Sequence, residues 1–101
     1  MNFEQAKKYA QRFDNEHKQA AEKLKETGER LARELNIEAR GTMGLTPDAI
    51  KFNPEYRKAW KRERQAFSAM REFNTQYTRV FKRELRAERN AKRKALNERS
   101  A

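Results

Sequence analysis

From Phe3 to Leu24, apolar or small residues recur at spacings of 3, 4, 3, 4, 3 and 4, through Ala6, Ala10, Phe13, His17 and Ala20. A repeat averaging 3.5 residues keeps one stripe of a helix turned toward a partner helix along its whole length, and it is incompatible with the two-residue period of a strand. Beyond Leu24 the spacing reads 4, 3, 4 through Gly28, Leu31 and Leu35, a small rotation of the stripe. The segment 3–35 is therefore expected to form one long helix. Gly28 reads as a point of close helix approach, and His17 as a packed or rim histidine. Acids precede bases by four residues at Glu4–Lys8, Asp14–Lys18, Glu26–Arg30 and Glu29–Arg33, the favourable order for intrahelical pairs worth about 0.2–0.5 kcal/mol each.

A partner for this stripe lies later in the chain. Tyr56, Trp60, Phe67, Met70, Phe73, Tyr77, Val80, Phe81 and Leu85 form a broad apolar stripe, interrupted near Glu63 or Arg64. Neither glycine nor proline occurs after Pro54. The expected second helix covers about 54–96, thinning after Leu85 to Ala87, Ala91, Ala95 and Leu96. Between the two, residues 36–53 hold Gly41 and Gly44. Thr46-Pro47-Asp48 supplies a cap, a proline at the first helical position and an acid, so a short helix is expected through Lys51. Asn53-Pro54-Glu55 repeats that pattern for the next helix. Ile37, Leu45, Ile50 and Phe52 are the candidates to close the end of the core.

The expected fold is all-α: one domain over 1–101, an antiparallel two-helix hairpin with a coiled-coil-like seam, a short connecting helix and a basic C-terminal overhang. Leu, Ile, Val and Phe number only 15, while 40% of the residues are charged. A single seam is a small core for such a chain, so pairing of two hairpins into a four-helix bundle, a homodimer, is a second expected arrangement.

Charge distribution is the main functional signal. Residues 1–50 carry nine basic and nine acidic side chains, 51–75 carry seven and three, and 76–101 carry nine and three, so the formal +10 belongs to the second half. Such asymmetry points to a polyanionic partner. Lys82, Arg86, Arg89 and Arg93 follow a 4, 3, 4 spacing along one helical face, flanked by Arg79, Arg83, Lys92 and Lys94. Like-charged neighbours four apart destabilise a free helix, whereas a phosphate-tracking face requires them. Arg57, Lys61 and Arg64 form a second cluster beside Tyr56 and Trp60. Cations and rings together can clamp and stack on unpaired bases, but the helical spacing of those aromatics assigns them to the core stripe.

The first functional expectation is thus a small basic accessory protein that binds nucleic acid, DNA or RNA, without sequence-specific readout. The alternative is a protein-interaction module, an adaptor or inhibitor, docking its basic helix on an acidic protein surface with Met43, Leu45 and Phe52 as apolar anchors. Gly41-Thr42-Met43-Gly44 lacks the Gly-Lys-Ser/Thr of a phosphate-binding loop and reads as a plain connector, although Arg40 or Lys51 could help hold a phosphate there. With one histidine and no cysteine, neither a zinc site nor a thiol nucleophile is expected, and no cofactor or catalytic residue is assigned. No apolar run approaches a membrane span, the stretch 86–101 has Leu96 as its one large apolar residue, and Met1-Asn2-Phe3-Glu4 lacks the pattern of a signal peptide. A cytoplasmic location is the expectation that follows.

Overall fold

Asn2 sets the start of the first helix. Its side chain accepts a hydrogen bond from the Gln5 backbone amide at 2.8 Å while the Gln5 side chain accepts one from the Asn2 amide at 3.1 Å, satisfying two of the free donors of a helix start. The computed structural model describes residues 1–39 and 44–100. Four helices follow in order: α1 Phe3–Leu35, α2 Asp48–Lys51, α3 Pro54–Val80 and α4 Lys82–Ser100. The described residues contain no strand. α1 ends at Asn36, whose left-handed backbone (φ 53°) turns its amide back to the carbonyls of Ala32 and Arg33, a conformation asparagine tolerates better than most residues.

α1 and α3 pack antiparallel. Phe3 meets Tyr77 and Phe81 at ring-centroid distances of 6.2 and 5.5 Å, Phe13 stacks on Phe73 at 4.9 Å, and His17 tilts against Phe67 at 5.3 Å. A Cβ at Gly28 would stand 3.4 Å from the Tyr56 ring, in keeping with close approach at that glycine. The α1 stripe is the expected one with two amendments. Thr27 rather than Gly28 fills the buried seam position, its hydroxyl donating to the Lys23 carbonyl at 2.7 Å, so the heptad runs unrotated to Leu31. Leu35 is exposed.

On α3 the half-buried positions include Tyr56, Ala59, Glu63, Ala66, Met70, Phe73 and Tyr77, again spaced 3, 4, 3, 4, 3 and 4. Trp60 and Val80, expected on the stripe, are 45% and 65% exposed. Glu63 does not interrupt the seam but belongs to it, accepting from His17 Nε2 at 3.0 Å. Of the four intrahelical ion pairs expected in α1, Asp14–Lys18 forms; the others within that helix are Arg12–Glu16 and Arg30–Glu34.

The connector closes one end. Ile50 is fully buried against Leu31 and Ala32, with Tyr56 and Ala39 packed around them; burying one isoleucine contributes about 1.5–3 kcal/mol. Ile37, Leu45 and Phe52 do not join it and remain exposed. Pro47, not Thr46, stands at the cap position of α2, whereas Asn53 caps α3 as expected, accepting from the Glu55 amide at 2.9 Å ahead of Pro54.

The second long helix is broken. An unbroken helix over residues 54–100 would be about 70 Å long, but the longest dimension of the molecule is 52 Å. The interruption is Phe81 (φ −108°, ψ 30°). Thr75 and Thr78 donate their hydroxyls to the carbonyls of Arg71 and Asn74, a habit that bends helices. Val80 and Phe81 are poor helix formers, and the Phe81 ring turns onto Phe3. α4 therefore folds back across the start of α1, where Lys7 forms an ion pair with Glu88. The result is extended: the radius of gyration is 19.3 Å against about 13 Å for a compact chain of this length, and the accessible surface is 8560 Å² against about 6,000 Å².

Candidate nucleic-acid interface

α4 is helical by propensity and by its attachment at Phe81, not by burial. Only Leu85 and Glu88 in it are half-buried, and residues 89–99 are all exposed. At about 100° per residue, Lys82, Arg83, Arg86, Arg89, Lys92, Arg93 and Lys94 occupy one arc of about 200°, with Asn90 and Asn97 inside it and Leu85 and Leu96 toward one edge. Glu84, Glu88, Glu98 and Ala87, Ala91 and Ala95 fall on the opposite side. Every cation in the arc is exposed, and none makes an ion pair among the described residues. Glu88, the acid best placed to neutralise them, is engaged by Lys7 of α1. That contact holds the Lys7 ammonium above its ordinary pKa, chiefly through the hydrogen bond to the carboxylate. Arg79 lies just before the bend, exposed, in the last turn of α3.

Along the axis, Lys82, Arg86, Arg89 and Arg93 are stepped by about 4.5–6 Å. The ridge they make can lie along a row of phosphates; among the described residues, the open depressions along it, such as the one of about 400 Å³ lined by Lys82, Arg83, Arg86, Ala87 and Asn90, contain no aromatic ring on which a base could stack.

Arg57, Lys61 and Arg64 sit elsewhere, near the hairpin end of α3, about 30 Å of helix away from Lys82. Here the structure does what the residue order conceals. Glu55 and Glu63 are the only acids between Asn53 and Arg71, and α1 draws both away. Glu55 is bound by Arg30, whose hydrogen bond lowers the carboxyl pKa, and Glu63 is turned inward to His17. The outward face of early α3 is left largely cationic, with Arg64 keeping a long contact to Glu63 at 3.8 Å. Arg64 lies over the Trp60 ring, 5.6 Å from its centroid.

Leu45 and Phe52 do come together, on an open groove of about 540 Å³ shared with Tyr56, Arg57 and Trp60. Met43, expected with them, and Arg40 lie outside the described residues. The exposure of Trp60 was missed by reading residues 56, 60 and 67 as one stripe. The heptad through Ala59 and Glu63 is the signal that places Trp60 off the seam.

Among the described residues no group of three or more His, Asp or Glu side chains is placed to hold a metal ion, and no helix is long and apolar enough to cross a membrane. No family model, no curated protein and no solved structure matches the chain.

Proposed function

We propose that this protein is a nucleic-acid-binding accessory protein that holds DNA or RNA through phosphates on the basic ridge of α4, without sequence-specific readout. The observation that carries this reading is the unopposed cationic arc: seven exposed Lys and Arg side chains without an ion pair among the described residues, the nearest acid being held by α1. A helix shaped only for stability would intersperse its acids, as α1 does. Counterion release from phosphates supplies the driving force. The reading is of a binder rather than a catalyst: the single histidine is packed in the α1–α3 seam, away from the α4 ridge.

The test is equilibrium binding of labelled duplex and single strands across a salt series. Affinity should persist near physiological salt and fall on a log–log plot with a slope steeper than about −3, each phosphate contact contributing about 0.7–0.9. Absence of binding at about 150 mM salt would overturn the assignment.

A second reading, a protein-interaction module, is favoured by the aliphatic side chains left outside the core at the hairpin end, Leu35, Ile37 and Leu45. A defined partner that remains bound after nuclease treatment, and is released by Leu45→Asp, would select it. Under either reading, the large exposed surface and the lack of a fully buried residue on α3 support pairing of two hairpins into a four-helix bundle as the assembled form.

A further inference from the structure

We propose that the groove between α2 and the start of α3, walled by Phe52, Tyr56 and Trp60 and rimmed by Lys51 and Arg57, is a stacking site for an unpaired base of single-stranded nucleic acid. This rests on the phosphate-binding reading above and adds to it the class of nucleic acid that this end of the molecule prefers.

Four observations support it. Trp60 and Phe52 are 45% and 60% exposed. Neither ring is needed by the seam, whose neighbouring positions are filled by Ala59 and Glu63. Large rings facing solvent on so polar a chain call for a ligand with an apolar face. Second, the groove is open and, at about 540 Å³, has room for a base, and it brings Phe52, Tyr56 and Trp60 together on one wall.

Third, the electrostatics suit a base with its phosphates attached. Lys51 stands over the Phe52 ring at 5.9 Å and Arg64 over Trp60 at 5.6 Å, so cations lie beside each ring where a backbone would run. Glu55 is held away by Arg30, and Glu63, shared between His17 and a long contact to Arg64 at 3.8 Å, does not line the groove, leaving Asp48 as the acid on its wall. Fourth, the wall is made of rings. Leu45 is its one aliphatic side chain among the described residues, whereas a groove for a helical peptide presents a continuous aliphatic trough. Aromatic platforms beside cations bind single strands with little sequence preference, because every base has a π-face.

Trp60 is the only tryptophan, so its emission reports on the groove directly. The full chain is titrated with an oligothymidylate of about 15 nucleotides, and with a duplex of the same length, at about 150 mM salt. The single strand should quench Trp60 and the duplex should not. By anisotropy of the labelled strand, Trp60→Ala should weaken single-strand binding about 5- to 100-fold, and Trp60→Phe should restore most of the loss. Phe52→Ala should weaken it similarly. Duplex affinity should be unchanged in all three. Because both rings are solvent-facing, these variants keep the helix content of the parent, checked by circular dichroism.

Equal quenching by strand and duplex, or a Trp60→Ala protein that binds thymidylate like the parent, would overturn the proposal. So would quenching by an acidic leucine-rich peptide where thymidylate produces none, which would assign the groove to a protein. Failure of the unaltered chain to bind duplex would count against the α4 ridge instead, so the two readings fail separately.

Discussion

α1 and α4 carry the same number of basic side chains, eight each, but α1 spreads them over 33 residues with seven acids and α4 over 19 residues with three. The more telling difference is what those charges touch. In α1, Arg12, Lys18 and Arg30 are matched to acids four residues away, and the apolar face buries Ala6, Ala20, Thr27, Leu31 and Ala32. In α4 seven of the eight cations share one side, and none of those seven meets a carboxylate among the described residues. A count of lysines and arginines does not separate a scaffold helix from a binding helix. Their pairing does, and pairing depends partly on residues far away in the chain, as when Lys7 takes Glu88.

The comparison can be broken most directly by charge reversal. Arg86→Glu, Arg89→Glu and Arg93→Glu combined should lower duplex affinity about 100-fold or more at physiological salt and flatten the salt slope by about 2–3. The same three-charge reversal on α1, at Lys8, Lys18 and Lys23, should change affinity by less than about three-fold. Equal losses in the two proteins would mean that net charge, not the α4 ridge, governs binding.

Stability should show the reverse asymmetry. Leu31→Ala, at a position 4% exposed beneath Ile50, is expected to cost about 2–4 kcal/mol in urea unfolding. Ala91→Ser on α4 should stay within about 0.5 kcal/mol of the parent. A large loss from the α4 change would show that this helix carries core weight after all.

The seam itself divides less evenly than its repeat suggests. His17 and Glu63 form a hydrogen-bonded pair with side chains only 22% and 16% exposed. Glu63→Ala strands the imidazole and should cost about 1–3 kcal/mol. The double change to leucine at both positions should be neutral or stabilising. If it is instead as damaging as the single change, the pair is a net source of stability and not only a device for holding register.

The smallest effect concerns pH at the hairpin end. Arg30 holds the Glu55 carboxyl below its ordinary pKa of 4.5. A depressed carboxyl contributes stability above its unfolded pKa and loses it as the pH falls through its folded one. Melting temperature should therefore fall further between about pH 5 and pH 3 in the parent than in Glu55→Gln, by a degree or so, since the pair is exposed. Parallel curves would show that the pair contributes nothing.

How much of this was legible beforehand varies along the chain. The helix over 3–35 was plain, because a seven-residue repeat is a long-range signal that local accidents do not erase. The cap at Asn53-Pro54 was plain for the opposite reason, being wholly local. The α3 stripe was harder. Large aromatics drew the line through Trp60, while the true seam runs through Ala59 and Glu63, a small residue and an acid whose place is settled only by His17 across the interface. The bend at Phe81 has no glycine or proline to announce it. It comes from the weak helix formers Asn74, Thr75, Tyr77, Thr78, Val80 and Phe81 and from the pull of Phe3, a contact 78 positions away in the chain. For the candidate interface, the α4 face could be read from residue order alone. The withdrawal of Glu55 and Glu63 could not, since it depends on which α1 residue stands opposite each.

The break at Phe81 also bears on how such a protein can change over generations. The half-buried positions of α4 end at Glu88, and residues 89 to 99 are all exposed to solvent. Natural selection acts on folding stability as a threshold, and substitutions in that stretch leave the margin above it untouched. The basic arm is therefore the part of this molecule that folding constrains least: in a lineage its cationic face is held by what it binds, while the hairpin is held by its heptads.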